Sequence, residues 1–481
     1  MGNLPRSTPE KQGVKSQAII DFLSAVKENN QEFHSFMLVK NGHVVSECWW
    51  EPYGKQYRHQ LFSLSKSFTS TAIGMAVDEG LLTVDTLLSD IFADEFKQLG
   101  NRMDEKMSKM TVKNLLTMGT GAEYENWNWT EGEFGQNNII GFLQSHLKYE
   151  PGSKFFYHTL ATYMQSAVIT RLTKQKLVDY LRPRLFEPLG IDPVWEEDNL
   201  GISFGGFGLN ITTDEIAKFG QFYLQKGNWN GKQLVSSKWI AEATSKQIEN
   251  GDDPNSDWAQ GYGYQFWQCK PDGVYRGDGM YGQYCIVLPN ENSVIAITSN
   301  VDMQKVLNLI WDILLPALRE NNAPSDDTAD YKKMKAMQKN LSHLTVSENP
   351  LPFPKFRAEY KIKNESKINN YGNFNIEKIY FEFTGDEGVL AFYIKDSRIP
   401  FVYKIKNNEW LDSMSGNKDS FYRCKIFGEW QKEDKGYVLA IVDWHYETPV
   451  KETLKIRFNK DKSKLTLQFN DAPVSETYVK I

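Results

Sequence analysis

The sequence predicts an α+β fold for residues 1–345 and a small β-barrel for residues 346–481. In the first part, strand signals lie near both ends, and a mostly helical stretch separates them. That order is typical of an antiparallel sheet that is flanked by terminal helices and carries a helical insertion. After about residue 345 the chain instead repeats short alternating strands, which fit a small barrel or sandwich.

Three elements are predicted near the start of the chain. Residues 16–29 indicate an amphipathic helix, because apolar residues recur on one side at Ile19, Phe22, Leu23 and Val26. Two apolar runs then flank Asn41-Gly42, which predicts a β-hairpin with a type I′ turn. Residues 63–80, rich in small and apolar side chains and ended by a glycine, indicate a second helix.

The middle of the chain, residues 85–243, is predicted to be mostly helical. Strand signals return at residues 262–268, 284–288 and 293–298, the last two joined by a four-residue turn. A final helix begins near Met303, and Pro316 should end or kink it, although Leu318 could continue its apolar face.

The barrel prediction depends on clear alternation near the end of the chain. Leu454, Ile456 and Phe458 alternate with charged residues, and a second alternating run follows across a polar turn at Leu465, Leu467 and Phe469. This pattern is expected of a half-buried hairpin.

Composition excludes several classes of protein. The 481 residues suggest two to four domains, and 41% hydrophobic with 13% aromatic residues excludes a chain that is mainly disordered. The net charge is −6 and no Lys/Arg-rich run appears, which argues against nucleic-acid binding. A small-molecule or protein partner is expected instead.

The distribution of cysteine and histidine gives no sign of a metal or a cofactor. The 4 cysteines are scattered without a CxxC pair, and the 7 histidines form no HExxH motif. The first residues lack the apolar core of a signal peptide, and no apolar run reaches about 18 residues. We therefore expect a cytoplasmic enzyme that has no membrane segment and no cofactor.

Two serines stand in motifs that could supply a nucleophile. Gly201-Ile202-Ser203-Phe204-Gly205 matches GxSxG, a motif that requires a strand before the serine and a helix directly after it. Here a polar stretch precedes the motif and a second glycine-rich loop follows it, so Ser203 is not favoured.

Ser63-Leu64-Ser65-Lys66 is the second motif, and its context is better. Ser63 falls where a loop becomes a helix, and the i,i+3 spacing places Lys66 on the same face one turn later. Positive potential at the helix N-terminus, together with burial, lowers a lysine pKa, so that a neutral amine could accept the serine proton. The alternative is that Ser63 is only a helix cap and Lys66 a solvated residue.

Several segments in order resemble one known family. SLSKSFTSTAIGMAVDEGLL at 63–82, PGSKFFYHT at 151–159 and YRGDGMYGQYCIVLPNENSVIAITSN at 275–300 are similar to the serine beta-lactamase-related group, which comprises class C beta-lactamases, penicillin-binding esterases and D-amino-acid peptidases. The resemblance covers about residues 5–320. It implies a beta-lactamase/transpeptidase-like fold for this part, with a lipocalin-like domain after it.

The resemblance also implies the catalytic roles. Ser63 would attack a carbonyl, Lys66 and Tyr157 would share the role of base, and the phenol of Tyr157 would ionise easily and later protonate the leaving group. The backbone N–H groups of Ser63 and Met280 would form the oxyanion hole. Thr159, Asp278 and Gly279 would contact substrate. For Tyr157 the alternative is a packed core aromatic.

The third motif departs from the family and bears on the substrate. Where Lys-Thr-Gly or His-x-Gly is usual, this chain has Gly277-Asp278-Gly279, and Thr159 replaces the usual Asn or Ser of the second motif. Asp278 would repel a substrate carboxylate unless Arg276 turns inward to compensate, or it could simply face solvent. We therefore expect a small ester or amide as substrate rather than efficient penicillin hydrolysis.

Two further residues are weaker candidates for substrate contact. Trp127 could wall the pocket, although structural packing explains it equally well. His158 could touch the substrate, but a packed histidine is the preferred interpretation.

The sequence therefore predicts a serine hydrolase acting through a Ser63 acyl-enzyme on a small ester, amide or peptide, and a homo-oligomer is compatible with these features. One alternative is a penicillin-binding-like sensor with slow or absent turnover. A second is a ligand carrier that uses the barrel.

Overall fold

The computed structural model describes residues 3–127, 136–320, 329–362, 376–395, 397, 399–416, 421–470 and 476–481. The chain divides into two compact units. The first comprises Met1–Trp50 and Lys55–Leu341, and the second comprises Glu51–Gly54 and Ser342–Ile481. The boundary expected near residue 345 lies close to the change of unit after Leu341. No sequence signal indicated that four residues near position 50 belong with the second unit.

The first unit contains fourteen helices among the described residues, several of them a single turn. They are α1 (Ser16–Glu28), α2 (Ser65–Asp78), α3 (Leu88–Ile91), α4 (Ala93–Leu99), α5 (Val112–Leu116), α6 (Asn138–Leu143), α7 (Thr159–Thr173), α8 (Leu177–Leu181), α9 (Glu187–Leu189), α10 (Thr213–Leu224), α11 (Ser237–Ala243), α12 (Met303–Leu309), α13 (Leu315–Glu320) and α14 (Ala329–Lys339). Short 3₁₀ turns occur at Glu10–Gln12, Phe62–Leu64, Gly100–Arg102 and Glu105–Lys109, and π turns occur at Arg182–Phe186 and Ile310–Leu314.

The strands of this unit form one main sheet and two small ones. They are β1 (Glu32–Lys40), β2 (His43–Trp49), β3 (His59–Gln60), β4 (Val194–Trp195), β5 (Leu209–Ile211), β6 (Asn228–Trp229), β7 (Lys232–Gln233), β8 (Trp267–Gln268), β9 (Tyr275–Gly279), β10 (Gln283–Leu288) and β11 (Ser293–Asn300). The main sheet has the order β2-β1-β11-β10-β9-β8, and its neighbouring strands are antiparallel.

Both faces of the main sheet are covered. Along β1, Met37 and Val39 belong to the core shared with α2 and α10, whereas Phe36 and Leu38 belong to the core shared with α1 and α12. Because side chains alternate along a strand, one apolar run supplies both cores. The structure thus confirms the predicted antiparallel sheet with flanking helices and a helical insertion.

Local predictions are confirmed where turn chemistry dominates. Asn41 and Gly42 have φ values of 51° and 74°, as the predicted hairpin turn requires.

Pro316 does not end the last sheet-flanking helix. Instead, a π turn at Ile310–Leu314 precedes α13, which buries Leu318.

One strand prediction is wrong over most of its length. The expected strand over residues 262–268 is reduced to Trp267–Gln268, since Gln265 adopts a left-handed φ of 65° that breaks the extended backbone.

The second unit is a ten-stranded sheet that curls into a nearly closed barrel. Its strands are β12 (Phe356–Ile362), β13 (Ile376–Phe383), β14 (Glu387–Ile394), β15 (Phe401–Lys406), β16 (Leu411–Gly416), β17 (Phe421–Glu433), β18 (Gly436–His445), β19 (Lys451–Asn459), β20 (Lys464–Phe469) and β21 (Glu476–Lys480). Their order is β15-β14-β13-β12-β21-β20-β19-β18-β17-β16. A backbone bridge between Asn407 and Gly428 brings the two ends of the sheet together.

The predicted hairpin near the end of the chain lies in this barrel. Leu454, Ile456 and Phe458 of β19 pair with Phe469, Leu467 and Leu465 of β20, and the three β19 side chains are buried in the barrel core. Within the described part of the chain, no helix has the length and apolar character needed to cross a membrane.

Candidate active site

Ser63 lies in a strained 3₁₀ turn directly before α2. The turn spans Phe62–Leu64, and Phe62 has a left-handed φ of 48°, which is uncommon for a residue with a bulky side chain. Ser63 is half-buried. Its turn is anchored by α2, whose small and apolar residues are buried from Ser65 to Ala76.

Lys66 extends from the first turn of α2 to the Ser63 hydroxyl. Its Nζ donates hydrogen bonds to Ser63 Oγ at 2.9 Å and to the carbonyl oxygen of Gly206 at 2.8 Å. The side chain is only 1% exposed. Burial lowers the pKa of Lys66 to about 7, although the carboxylates of Glu125 and Asp278 oppose this shift. A large fraction of the amines is therefore neutral near pH 7 and can accept a proton.

Tyr157 comes just before α7 and faces the same pair. The Ser63 hydroxyl is near enough to affect the pKa of its phenol, and Lys66 Nζ lies 4.9 Å from the centre of its ring. The ring also stacks on Trp267, with centroids 5.3 Å apart. Contrary to the sequence-based expectation, burial and the Asp278 carboxylate raise the pKa of Tyr157, so its phenol stays protonated. The site therefore places an amine of lowered pKa and a phenol of raised pKa beside Ser63.

The end of β9 runs directly against the turn that holds Ser63. A Cβ atom on Gly279 would lie 2.0 Å from the carbonyl oxygen of Leu61 and 3.1 Å from the backbone nitrogen of Ser63. Any side chain at this position would therefore push the strand away from the serine. Met280 follows directly, so its N–H belongs to the same strand end, and its side chain is 58% exposed.

Phe62, which precedes Ser63, contacts Tyr281, which follows Met280. Tyr281, next to Met280, has a left-handed φ of 67°. Its ring packs edge-on against Phe62, with centroids 5.5 Å apart. This contact joins the turn that holds Ser63 to the backbone segment that follows β9.

Asp278 is buried rather than facing solvent. It is 6% exposed and pairs with the fully buried Arg276, whose Nε donates to Asp278 Oδ2 at 2.9 Å. The side chains of Trp258 and Trp267 also act to lower the pKa of this carboxyl. Burial raises the pKa of Asp278, and Arg276 opposes that shift. The pair holds opposite charges in direct contact, so Arg276 turns inward, as the sequence allowed.

Glu125 is a site residue that the sequence did not reveal. It accepts hydrogen bonds from the backbone N–H of Thr159 and from Trp127 Nε1, the latter at 2.5 Å. Its charge acts on Lys66 and on Tyr157. Glu125 lies in a loop without any motif spacing, so only the fold brings it to the start of α7.

The remaining predicted residues divide between the surface of the site and the core. Thr159 is half-buried at the first position of α7, where its methyl group lies against Gly206. His158 is fully buried, hydrogen-bonded to Thr120, and packed beside Phe142. Its imidazole is therefore a packed side chain rather than a surface offered to substrate.

Trp127 and Ser203 also have defined positions. Trp127 is half-buried and packs against Tyr163 and Phe207, with ring centroids 6.0 and 6.1 Å away. Ser203 is fully buried and no helix follows it, so its GxSxG motif lacks the context that a nucleophile needs. Among the described residues, the group of possible metal ligands that lie close enough to share an ion is in the second unit, and it consists of Asp443, His445 and Glu452.

Comparison with known proteins places this geometry in context. The Beta-lactamase family model matches residues 34–312, which is more than half of the chain. The 6-aminohexanoate-dimer hydrolase of Paenarthrobacter ureafaciens is 22% identical over 314 residues, covering 61% of this chain and 80% of that protein.

Two solved structures share the fold. A family VIII carboxylesterase aligns with a TM-score of 0.51 at 16% identity, covering 64% of this chain and 98% of its own. The octameric penicillin-binding protein homologue from Pyrococcus abyssi aligns with a TM-score of 0.50 at 16% identity, covering 96% of this chain and 99% of its own. The second alignment includes the barrel as well as the first unit.

Proposed function

Since the chain belongs to the Beta-lactamase family, we propose that it is a serine hydrolase that cleaves a small ester or amide through an acyl-enzyme on Ser63. The observation that carries the proposal is the buried Lys66 amine. It lies 2.9 Å from Ser63 Oγ, and burial lowers its pKa to about 7. A lysine in that state is a base of suitable strength for a serine hydroxyl at neutral pH.

Acylation begins with proton transfer from Ser63 to Lys66. As the Oγ–H bond breaks, Oγ forms a bond to the substrate carbonyl carbon, and the carbonyl electron pair moves to oxygen. The backbone N–H groups of Ser63 and Met280 then stabilise that oxyanion. A Cβ atom on Gly279 would lie 2.0 Å from the Leu61 oxygen and 3.1 Å from the Ser63 nitrogen, so the strand end that precedes Met280 runs close to the Ser63 turn, which supports this pairing of amides.

Collapse of the tetrahedral intermediate expels the leaving group. Tyr157 remains protonated because burial raises its pKa, so its phenol is suited to protonate the departing oxygen or nitrogen. The ammonium of Lys66 returns a proton to the phenol. In the second half, Lys66 accepts a proton from water as the hydroxide attacks the acyl carbon. Collapse of this second tetrahedral intermediate breaks the bond to Oγ, and the Lys66 ammonium returns its proton to Oγ.

The substrate we propose carries no carboxylate beside the scissile bond. The Arg276 guanidinium is already paired with Asp278, and Glu125 adds negative charge near Lys66. The curated relative is named for hydrolysis of an amino-acid dimer, which is joined by an amide. One structural neighbour is a carboxylesterase. The amine released from an amide and the alcohol released from an ester can both accept a proton from Tyr157.

For the second unit we propose a lipocalin-like module, on the basis of its nearly closed ten-stranded barrel. We also propose that the chain assembles into a homo-oligomer, because an aligned penicillin-binding protein homologue is octameric. Light scattering on the full chain tests assembly. A molar mass of one chain across a wide concentration range would refute it.

Labelling with a fluorophosphonate tests the nucleophile. Intact mass and peptide mapping should show one adduct on Ser63, and Ser63→Ala should remove it. Ser203→Ala is the matched control, and this variant should be labelled normally. An adduct on Ser203, or equal labelling of Ser63→Ala, would overturn the proposal.

Turnover separates the enzyme from a sensor. The unlabelled protein should hydrolyse p-nitrophenyl acetate or an amino-acid p-nitroanilide with repeated turnovers, and Ser63→Ala should not. Labelling followed by a single stoichiometric burst, with a stable acyl adduct on incubation with a beta-lactam, would instead favour a penicillin-binding-like sensor.

A further inference from the structure

Three neighbouring strands of the barrel bring together side chains that are suited to a metal ion. Asp443 and His445 lie two residues apart on β18, so both side chains project from the same face of that strand. Glu452 of β19 pairs directly with Asp443 across the sheet. On the other side, Cys424 of β17 pairs directly with His445. The register of the strands therefore gathers the cluster, although the residues are spread over 29 positions of sequence.

The ligand atoms lie at distances that suit coordination. One atom each from Asp443, His445 and Glu452 lies within 4.8 Å of the other two. Asp443 Oδ1 is 3.5 Å from His445 Nε2. In a tetrahedral site with bonds of about 2.1 Å, neighbouring ligand atoms stand about 3.4 Å apart. The 3.5 Å separation is too long for a good hydrogen bond and close to that spacing.

Burial makes an unfilled site unfavourable. Asp443 is 2% exposed and His445 is 7% exposed. Asp443 Oδ1 makes no hydrogen bond of ordinary geometry with the described residues, although a buried carboxylate oxygen normally has a partner. A bound cation would satisfy this oxygen and compensate the charges of two neighbouring carboxylates.

The surroundings of the cluster favour a cation. Tyr403 donates a hydrogen bond to the other carboxyl oxygen of Asp443 at 3.3 Å, which is the kind of outer contact that orients a metal ligand. Asp443 and Glu452 place two acidic groups beside the imidazole, and such a set favours a divalent cation. Glu452 is exposed and gives the ion a path from solvent.

We propose that the second unit binds one divalent transition metal ion of the zinc class through Asp443, His445 and Glu452. One imidazole and two carboxylates form a nitrogen–oxygen set of the kind that Zn²⁺ accepts, with a position left for water. The thiol of Cys424 is fully buried on the neighbouring strand, and it is outside the three-residue set whose ligand atoms all lie within 4.8 Å of one another. The site would join β18 to β19, and it is independent of the Ser63 chemistry.

The experiment uses the full untagged chain after treatment with a chelator. Equilibrium dialysis against Zn²⁺, followed by elemental analysis, should give one ion per chain. Co²⁺ should bind with a visible absorption spectrum of tetrahedral or five-coordinate type, without an intense thiolate charge-transfer band. Glu452→Gln should weaken binding at least tenfold, and because Glu452 is exposed the barrel should still fold. Glu447→Gln removes a nearby carboxylate that pairs with Arg423, and it should bind the ion normally.

Two outcomes would overturn the site. One is less than a tenth of an ion per chain at saturating Zn²⁺. The other is binding that is unchanged in both Glu452→Gln and His445→Gln, which would place the ion elsewhere. A strong thiolate band with Co²⁺ would replace the proposed ligand set by one that includes Cys424. Fluorophosphonate labelling of Ser63 should be the same with and without the metal, so the two proposals can fail separately.

Discussion

Replacing Lys66 by methionine should stabilise the first unit while it removes the proposed base. The pKa of Lys66 falls from 10.5 to about 7 on burial. That difference corresponds to about 5 kcal/mol of unfavourable free energy for holding the ammonium in the folded site. Methionine fills a similar volume without the charge. It also leaves the carbonyl oxygen of Gly206 without its donor, which costs about 1–3 kcal/mol. We expect a net gain of roughly 2–4 kcal/mol at pH 7.

A sharper test is how the stability difference between Lys66→Met and the wild type changes with pH. Between about pH 7 and 10.5 the unfolded chain still binds a proton on Lys66, whereas the folded chain has released it. Wild-type stability therefore rises with pH in this range, and the advantage of Lys66→Met shrinks by about 1.4 kcal/mol per pH unit. From pH 7 to 9.5 the advantage should fall by about 3 kcal/mol. Groups other than Lys66 titrate in both proteins and cancel in the difference.

Urea unfolding and calorimetry of the full chain at pH 7 and 9.5 measure this difference, with the two units fitted as separate transitions. Lys218→Met is the matched control. Lys218 is also buried, but it pairs with Asp214 at 3.0 Å, so its replacement should destabilise the protein. If Lys66→Met is less stable than wild type at pH 7, or if its advantage does not decline toward pH 9.5, the idea of a neutral buried amine is refuted.

Three further substitutions probe other contacts of the site. In the wild type, kcat/KM should rise about tenfold per pH unit below pH 7, where Lys66 loses its proton. Glu125→Gln should move this acid limb to lower pH, because the Glu125 carboxylate raises the pKa of Lys66. Gly279→Ala should lower kcat by about 10²–10³-fold, because the new Cβ would lie 2.0 Å from a backbone oxygen beside the nucleophile. Arg276→Met should destabilise the first unit by about 3–5 kcal/mol in urea unfolding, because it leaves Asp278 buried without its partner.

Each of these substitutions has a control in the chain. Glu123→Gln changes a carboxylate in the same loop that pairs with Lys148, and it should leave the pH profile in place. Gly80→Ala adds a methyl group where nothing lies within 4 Å, and it should leave kcat unchanged despite its positive φ. Combining Arg276→Met with Asp278→Asn should recover much of the lost stability. An unmoved acid limb, a normal kcat for Gly279→Ala or no recovery in the double variant would contradict the respective prediction.

The sequence predicts best those features that arise from neighbouring residues. The Asn41-Gly42 turn, the helix after Ser63 and the alternating hairpin of β19 and β20 each depend on local backbone or side-chain periodicity. The spacing of Ser63 and Lys66 is local as well, since one helical turn fixes the approach of the amine to the hydroxyl.

Features that depend on distant segments could not be predicted in this way. Asp278 could equally have faced solvent, because its burial depends on the indoles of Trp258 and Trp267 and on how the strand is covered. Glu125 reaches the site only through the path of its loop. The segment at residues 51–54 joins the second unit through contacts with residues nearly 300 positions later, such as the hydrogen bond from His343 N to Glu51 O. The candidate role of Tyr157 follows from the family resemblance and not from spacing.

The central pairing of the main sheet has a consequence for how the protein folds. β1 and β11 lie side by side, with Lys40 opposite Ser293, so about 250 residues separate the two partners. During synthesis at about 5–20 residues per second, β1 waits roughly 12–50 s before β11 exists. Throughout that interval the hairpin of β1 and β2 presents an apolar open edge with no native partner. Long-range pairing of this kind slows folding, so we expect slow refolding in vitro and dependence on chaperones for good yield.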